Sequence, residues 1–311
     1  MHPTGPDICV FAPALFVAVT IERRDDGHDD IHIHPGGQGF WIARMIRHLG
    51  AVPVLCAPLG GETGFVIRAL MPTWGIDLVA VDIAAGSPAY VHDRRDWDRH
   101  TLAEVPPPIL DRHERDDVYS AVLDRSLAAG VCVITGRTDD LFPPDVYRRL
   151  GRDFASNGVS VVGDLHGEEL DSFLEGGPME VLKVSDEDLL ADARVDDVDP
   201  PSLIAAAELL ERRGAAAVVV SRASEPVVAR FSGTTFTAVP PPIETVDLRG
   251  AGDSMTAGLA TALASGLGPE DALRLACAAG AANVARHGLG NASAELIHQL
   301  LDRVQIDRTE G

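Results

Sequence analysis

Short runs of β-branched and apolar residues alternate along this chain with stretches of helical periodicity, and nothing else in the sequence limits its fold so tightly. "ICVFAP", "VPVLCAPLG", "DLVAVDI", "VCVITG", "SVVGDL", "EVLKVS" and "AAVVVS" are predicted strands, several of them apolar on both faces. Between them, "GFWIARMIRHLG", "DDVYSAVLDRSLAAG", "PDVYRRLGRDFASNG" and "PSLIAAAELLERRG" are predicted helices. Strands that need cover on both sides, separated by helices, imply a Rossmann-like α/β fold with a mostly parallel sheet and helices on both faces. The last quarter is helix-rich, in "AGDSMTAGLATALASG", "PEDALRLACAAGAANVARHG" and "SAELIHQLLDRVQ". No repeat or long linker interrupts the pattern, so residues 1–311 are expected to form one domain.

Two stretches break the rhythm. "FVAVTIERRDDGHDDIHIHPGG" alternates, turns at Asp26-Gly27 and alternates again, as a hairpin does. "SPAYVHDRRDWDRHTLAEVPPP" is strand-like but polar and bounded by prolines. Segments of about 16–35 and 86–106 are therefore expected to form a small β-sheet lid on the α/β body.

Charge narrows the partners. With 26 basic and 47 acidic residues the formal charge is −21, so the surface repels phosphate backbones and no nucleic-acid partner is expected. The apolar run Ile8 to Ile21 contains Pro13 and is shorter than the roughly 20 residues of a membrane helix. The amino terminus lacks signal-peptide character. A cytoplasmic setting and no membrane partner are expected. Cys9, Cys56, Cys132 and Cys277 form no C-x-x-C pair and are expected to be structural and reduced.

The densest motif is "DLRGAGDSMTAG", Asp247 to Gly258. Glycines at 250 and 252 let consecutive N–H groups face one side of a loop, and a helix starting near Asp253 adds its positive end. That arrangement can hold charge spreading over a transferring phosphoryl group, with Asp253 placed to accept a proton from an incoming hydroxyl. Asp253 read alone is equally an ordinary helix N-cap. A second cluster, "HPGGQGFWIARMIRHLG", puts Gly36, Gly37 and Gly39 before a helix. It is neither G-x-G-x-x-G nor a Walker motif, which disfavours a dinucleotide-dependent oxidoreductase. His28, His32 and His34 crowd the first lid hairpin with Asp29 and Asp30; a solvated acidic edge and a zinc site are the two readings.

Taken together, "GGQGFWIARMIRHLGAVPVLCAPLGGETG" and the later "GAGDSMTAG" resemble the PfkB/ribokinase family of small-molecule kinases. The forms "GAGDSM" and "LGGETG" look most like the branch holding 1-phosphofructokinase, tagatose-6-phosphate kinase and the minor 6-phosphofructokinase. The resemblance implies a ribokinase-like domain with a β lid, ATP as donor, Mg²⁺ bridging its phosphates, and dimerisation through the lid. Gly250, Ala251 and Gly252 would form an anion hole and Asp253 would be the catalytic base. "KVSDED" resembles the family's Lys-x-Asn-x-x-Glu stretch, so Lys183, Ser185 and Asp188 would order phosphates, with Asp188 reaching metal only indirectly. Ser221 and Asn283 would lie beside the nucleotide, with Ala223 where the family has Gly. Lys183 read alone is a strand-end lysine. Asp247 would carry a monovalent cation, and Arg249 would contact phosphate or sit in solvent.

The acceptor side departs from the family. "APALF" has Ala12 and Phe16 where relatives have Asn and Asp, and "GGQGFW" has Gln38 for Lys and Trp41 for Asn. Ala89 and Tyr90 stand where a lid arginine holds a sugar phosphate, and "TGRTDDLFP" from Thr135 replaces a Ser-Gly-Ser-x-Pro loop. Phe16, Gly36, Gly37, Gln38, Trp41 and Thr135 are the expected acceptor residues. Phe16 and Trp41 would either stack on a ring or pack in the core. The expected function is transfer of the γ-phosphoryl of ATP to a hydroxymethyl group of a sugar or sugar phosphate. A nucleoside or other aromatic-ring acceptor, and a silent nucleotide- or ligand-binding relative, are the alternatives.

Overall fold

The structure is a computed structural model describing residues 5–96, 98–136, 141–285 and 292–309. Residues 137–140 of the "TGRTDDLFP" loop and the end of "AANVARHG" lie outside those residues. The first half contains β1 (Asp7–Phe11), β2 (Phe16–Arg23), β3 (Asp29–Gly36), α1 (Gln38–His48), β4 (Val52–Leu59), α2 (Gly61–Trp74) and β5 (Asp77–Asp82). Next come β6 (Ala89–Asp93), β7 (His100–Val105), α3 (Arg112–Ala129), β8 (Val131–Thr135), α4 (Pro144–Asn157) and β9 (Ser160–Asp164). Then follow α5 (Gly167–Gly176), β10 (Val181–Ser185), α6 (Asp186–Ala191), α7 (Pro200–Arg212), β11 (Ala217–Ser221), β12 (Val227–Phe231) and β13 (Thr234–Val239). The chain closes with α8 (Ala251–Ala264), α9 (Pro269–Val284), α10 (Ala294–Leu301) and β14 (Gln305–Thr309).

A ten-stranded sheet runs β14-β13-β12-β11-β10-β9-β8-β1-β4-β5. From β5 to β11 neighbouring strands pair in parallel, and β12 to β14 add an antiparallel edge. Period-two alternation explains the two cores. On β1, Ile8 and Val10 point into a layer shared with α1, α8 and α9, while Cys9 and Phe11 point into one shared with α3, α4 and α7. The strand order reverses between β1 and β8, and ligands in such sheets bind beyond the carboxyl ends of the strands at that switch.

The expected lid is present as a four-stranded sheet, β3-β2-β6-β7. β2 and β3 form the hairpin, with Phe16 opposite Gly36 and Arg23 opposite Asp29, and β6 joins β2 in parallel. Tyr90 and His92 stand on the face that carries Ala18, Thr20, His32 and His34. The opposite face carries Ile31 and Ile33, more than half exposed.

Two features escaped the sequence pattern. "GGETG" runs directly into α2, and "SAELIHQLLDRVQ" stops being helical at Leu301 and turns into β14. All four cysteines are buried and free, as expected. Three of them nevertheless meet: Cys9 Sγ lies 3.8 Å from Cys56 Sγ, and Cys132 sits opposite Cys9 across β1 and β8.

Candidate active site

The site forms where β9, β10 and α8 meet. Helix α8 begins at Ala251 behind Gly250, a left-handed N-cap without a side-chain cap hydrogen bond. Asp253 is therefore the third helical residue, and the N-cap reading fails. The first backbone N–H groups of a helix have no intrahelical acceptors, so those of Ala251, Gly252 and Asp253 are available to an anion. The loop before them is tied to α9: Asn283 Nδ2 donates to Arg249 O at 2.7 Å, and Val246 N to Val284 O at 2.7 Å. Asn283 thereby braces the loop that leads into α8.

Lys183 projects from β10 and is almost fully buried, 3.4 Å from Asp164 Oδ1 at the end of β9. Thr256 donates to Asp164 Oδ2 at 2.8 Å, so α8 is also fastened to β9. A Cβ on Gly252 would lie 2.8 Å from Lys183 Nζ, so a larger residue there would push the lysine end aside. Burial alone would lower the Lys183 pKa, yet the carboxylates of Asp164, Asp253 and Asp188 hold it above its ordinary value. Asp253 is pushed up to about 7, first by burial and then by Asp164, while Lys183 and a hydrogen bond from Gln38 pull it back. A carboxyl poised there exchanges protons near neutral pH.

Gln38 reaches Asp253 because β3 ends in the glycine turn. Gly37 has φ of +105°, and a Cβ there would meet Ala14 O at 2.8 Å. The two glycine clusters, distant in sequence, thus converge on one carboxylate.

Several of the expected residues also make structural contacts. Ser185 and Asp188 form a capping box on α6: Asp188 N donates to Ser185 Oγ at 3.0 Å, and Ser185 N to Asp188 Oδ2 at 3.1 Å. Thr135, buried at the end of β8, donates to Phe11 O at 3.0 Å. Ser221 donates to Val184 O at 3.4 Å. Ala223 has φ of +44°, which explains why glycine suits that position. Phe16 packs beside Tyr90, ring centroids 5.7 Å apart, and contributes no wall to the cavity under the lid. Asp247 turns its carboxylate to Arg249, Nε to Oδ1 3.0 Å, and to Arg94 at 3.4 Å.

Beneath the lid lies a cavity of about 390 Å³. Trp41, one turn beyond Gln38, forms part of its wall, with Trp74, Tyr90 and His92. His34 packs against Trp41 and its Nδ1 lies 2.8 Å from Pro35 O. Among the described residues no group of three or more His, Cys, Asp or Glu side chains converges as a metal site.

Asp164 and Thr256 were missed in the sequence, although a carboxylate ending the buried run "SVVGD" was a usable signal. The meeting of Arg94, Arg99 and Arg249 left no local signal, because their segments are joined only by the fold.

The chain belongs to the pfkB family of carbohydrate kinases, whose model matches residues 15–296. It is 27% identical over 257 residues to the ATP-dependent 6-phosphofructokinase isozyme 2 of Escherichia coli (strain K12), covering 82% of each chain. It is 25% identical over 283 residues to the 1-phosphofructokinase of Bacillus subtilis (strain 168), covering 88% of this chain and 89% of that one. The fold matches phosphofructokinase-2 from Escherichia coli in complex with potassium, with a TM-score of 0.83 at 24% identity over 96% of this chain and 98% of that one. As a member of this family the protein is an ATP-dependent kinase acting on a sugar hydroxyl. Among the described residues no helix is long and apolar enough to cross a membrane.

Proposed function

We propose that Asp253 is the base and the 250–252 loop the anion hole of this kinase. The observation that carries the reading is the poised Asp253 carboxyl, set in the first turn of α8 against buried Lys183. ATP with Mg²⁺ supplies the phosphoryl group. The acceptor hydroxyl oxygen forms the new P–O bond as the bond to ADP breaks, and its proton passes to Asp253. The loop amides and Lys183 stabilise the charge that spreads over the phosphoryl oxygens.

The residues present fit a magnesium ion. Asp164, Asp188 and Asp253 outnumber the one ammonium among them, and hard carboxylate oxygens suit Mg²⁺. Among the described residues no three ligating side chains converge, so Asp164 and Asp188 would hold the ion through water, as Mg²⁺ commonly allows. A cytoplasmic setting and a homodimer joined through the outer lid face, where Ile31 and Ile33 are exposed, belong to the same proposal.

ADP release with Mg-ATP, measured against hexoses, hexose phosphates, pentoses and nucleosides, tests the reading. Turnover on one acceptor that collapses in Asp253→Asn supports it. ATP binding without turnover on any of these would leave a ligand-binding relative as the better account.

A further inference from the structure

Strands β9 and β10 pair in parallel as far as Asp164 and Lys183, and each runs on into a helix, α5 and α6. His166 is the N-cap residue of α5, and Asp188 lies in the first turn of α6. The two side chains face each other, with His166 Nε2 3.9 Å from Asp188 Oδ1. The other oxygen of Asp188, Oδ2, is occupied by the α6 cap, where it accepts from Ser185 N and Ser185 Oγ. Oδ1 is therefore the oxygen left to a further partner.

The imidazole is held from its far side. Its Nδ1 lies 3.4 Å from Asp192 Oδ1, while Asp192 Oδ2 accepts from Gly167 N at 2.6 Å and from Arg194 Nε at 3.3 Å. Arg194 also donates to Asp171 at 2.8 Å, so Asp192 is anchored to α5 twice over. A carboxylate can only accept, so Nδ1 carries the proton of the neutral ring and Nε2 presents its lone pair to Asp188. The side chain makes no capping hydrogen bond to α5, so helix capping does not explain how the ring is turned.

Two acceptors facing each other across 3.9 Å call for a donor between them, and one water spans such a gap. The gap is open to solvent, since the two side chains are 29% and 32% exposed. It also belongs to the reacting corner. Asp164 stands two residues before His166, and the Asp188 carboxylate acts on the Lys183 ammonium. A water bound to a cation is a strong donor with two protons to place, and this pair offers two acceptors.

We infer that His166 is a positioning residue for the magnesium ion: its Nε2 and Asp188 Oδ1 together accept the protons of one metal-bound water. The inference rests on the reading that Asp188 holds the ion through water, and it adds the residue that shares that water.

The test is calorimetric titration of ADP into the full chain at a series of Mg²⁺ concentrations. The readout is the Mg²⁺ concentration that gives half of the tightening the ion confers on ADP. His166→Ala is expected to raise it about tenfold, the lower end of what loss of an outer-shell partner costs in metal affinity, with metal-free ADP affinity unchanged. His166→Gln, whose amide oxygen can accept from water, is expected to recover most of that loss. Asp188→Asn is measured beside them. An unchanged value in His166→Ala with a raised one in Asp188→Asn would overturn the role of His166 and leave the reading of Asp188 standing. A lowered value in His166→Ala would also overturn it, because a ring that repels the cation is not an acceptor for its water. Equal losses of metal-free and metal-bound ADP affinity would make the ring a mere brace of α5. Indifference to Mg²⁺ in the wild type, or in both His166→Ala and Asp188→Asn, would overturn the reading of Asp188 together with the inference.

Discussion

The corner around Asp253 and the cavity under the lid share the segment from Asp247 to Asp253, yet their charges are built in opposite senses. In the corner, three carboxylates surround one buried ammonium, an excess of negative charge that suits a metal ion. In the cavity, guanidiniums outnumber carboxylates two to one, an excess of positive charge that suits an anion. The corner rests on the ends of packed parallel strands. The cavity is roofed by a thin sheet whose outer face is exposed. A chain can thus keep its transfer chemistry on the rigid body while the acceptor end changes around it, because the two ends need different residues on different elements.

Variants can separate the two ends. Lys183→Met removes the only ammonium of the corner. It is expected to lower kcat by roughly 10²–10³-fold on every acceptor, as loss of a preorganised charge at a transferring group does. Steady-state kinetics on two acceptors would check that the loss is uniform.

The pH profile probes the corner alone. With the Asp253 carboxyl at about 7, kcat/KM is expected to fall about tenfold per pH unit below that value as the base becomes protonated. The stability effect has the opposite sense. The unfolded carboxyl ionises near pH 4 and the folded one near 7, so ionisation costs wild-type stability over that window. The Tm advantage of Asp253→Asn should therefore grow from pH 4 to 7 and level off above.

Trp41→Asn addresses the cavity. The acceptor KM is expected to rise about tenfold, with ADP affinity unchanged. Because Trp41 is also packed against Phe40, the variant should lose about 3 kcal/mol of stability. A kcat loss as uniform as that of Lys183→Met would erase the distinction between the ends. The smallest effect is expected at Ala223→Gly, which relieves a left-handed alanine and should add up to about 1 kcal/mol in denaturant unfolding.

The two ends also differed in how far the sequence revealed them. The parallel strands, the α8 loop and the lid hairpin were legible because each is a local pattern: an apolar run, a glycine pair before a helix, an alternation around Asp-Gly. Asp253 and Gln38 were each found, but not that they touch. Ser185, Asp188, Ser221, Asn283 and Thr135 stand out as ligands in a motif, but the capping or bracing hydrogen bond that each also makes was not legible. Phe16 and Trp41 looked equivalent; Trp41 is buried in the core layer while also touching the cavity wall, and Phe16 is only partly buried beside Tyr90. The arginines of the cavity come from α1, the loop after β6 and the loop before α8, so only tertiary structure assembles them.

The most direct test of the account is turnover by wild type and Asp253→Asn on the same acceptor, with ADP affinity measured beside it. The account predicts a fall in kcat of roughly 10³-fold or more with ADP affinity unchanged, the effect of losing a positioned base. Turnover within about tenfold of wild type would contradict it, because a loss that small is below what a base at this position supplies.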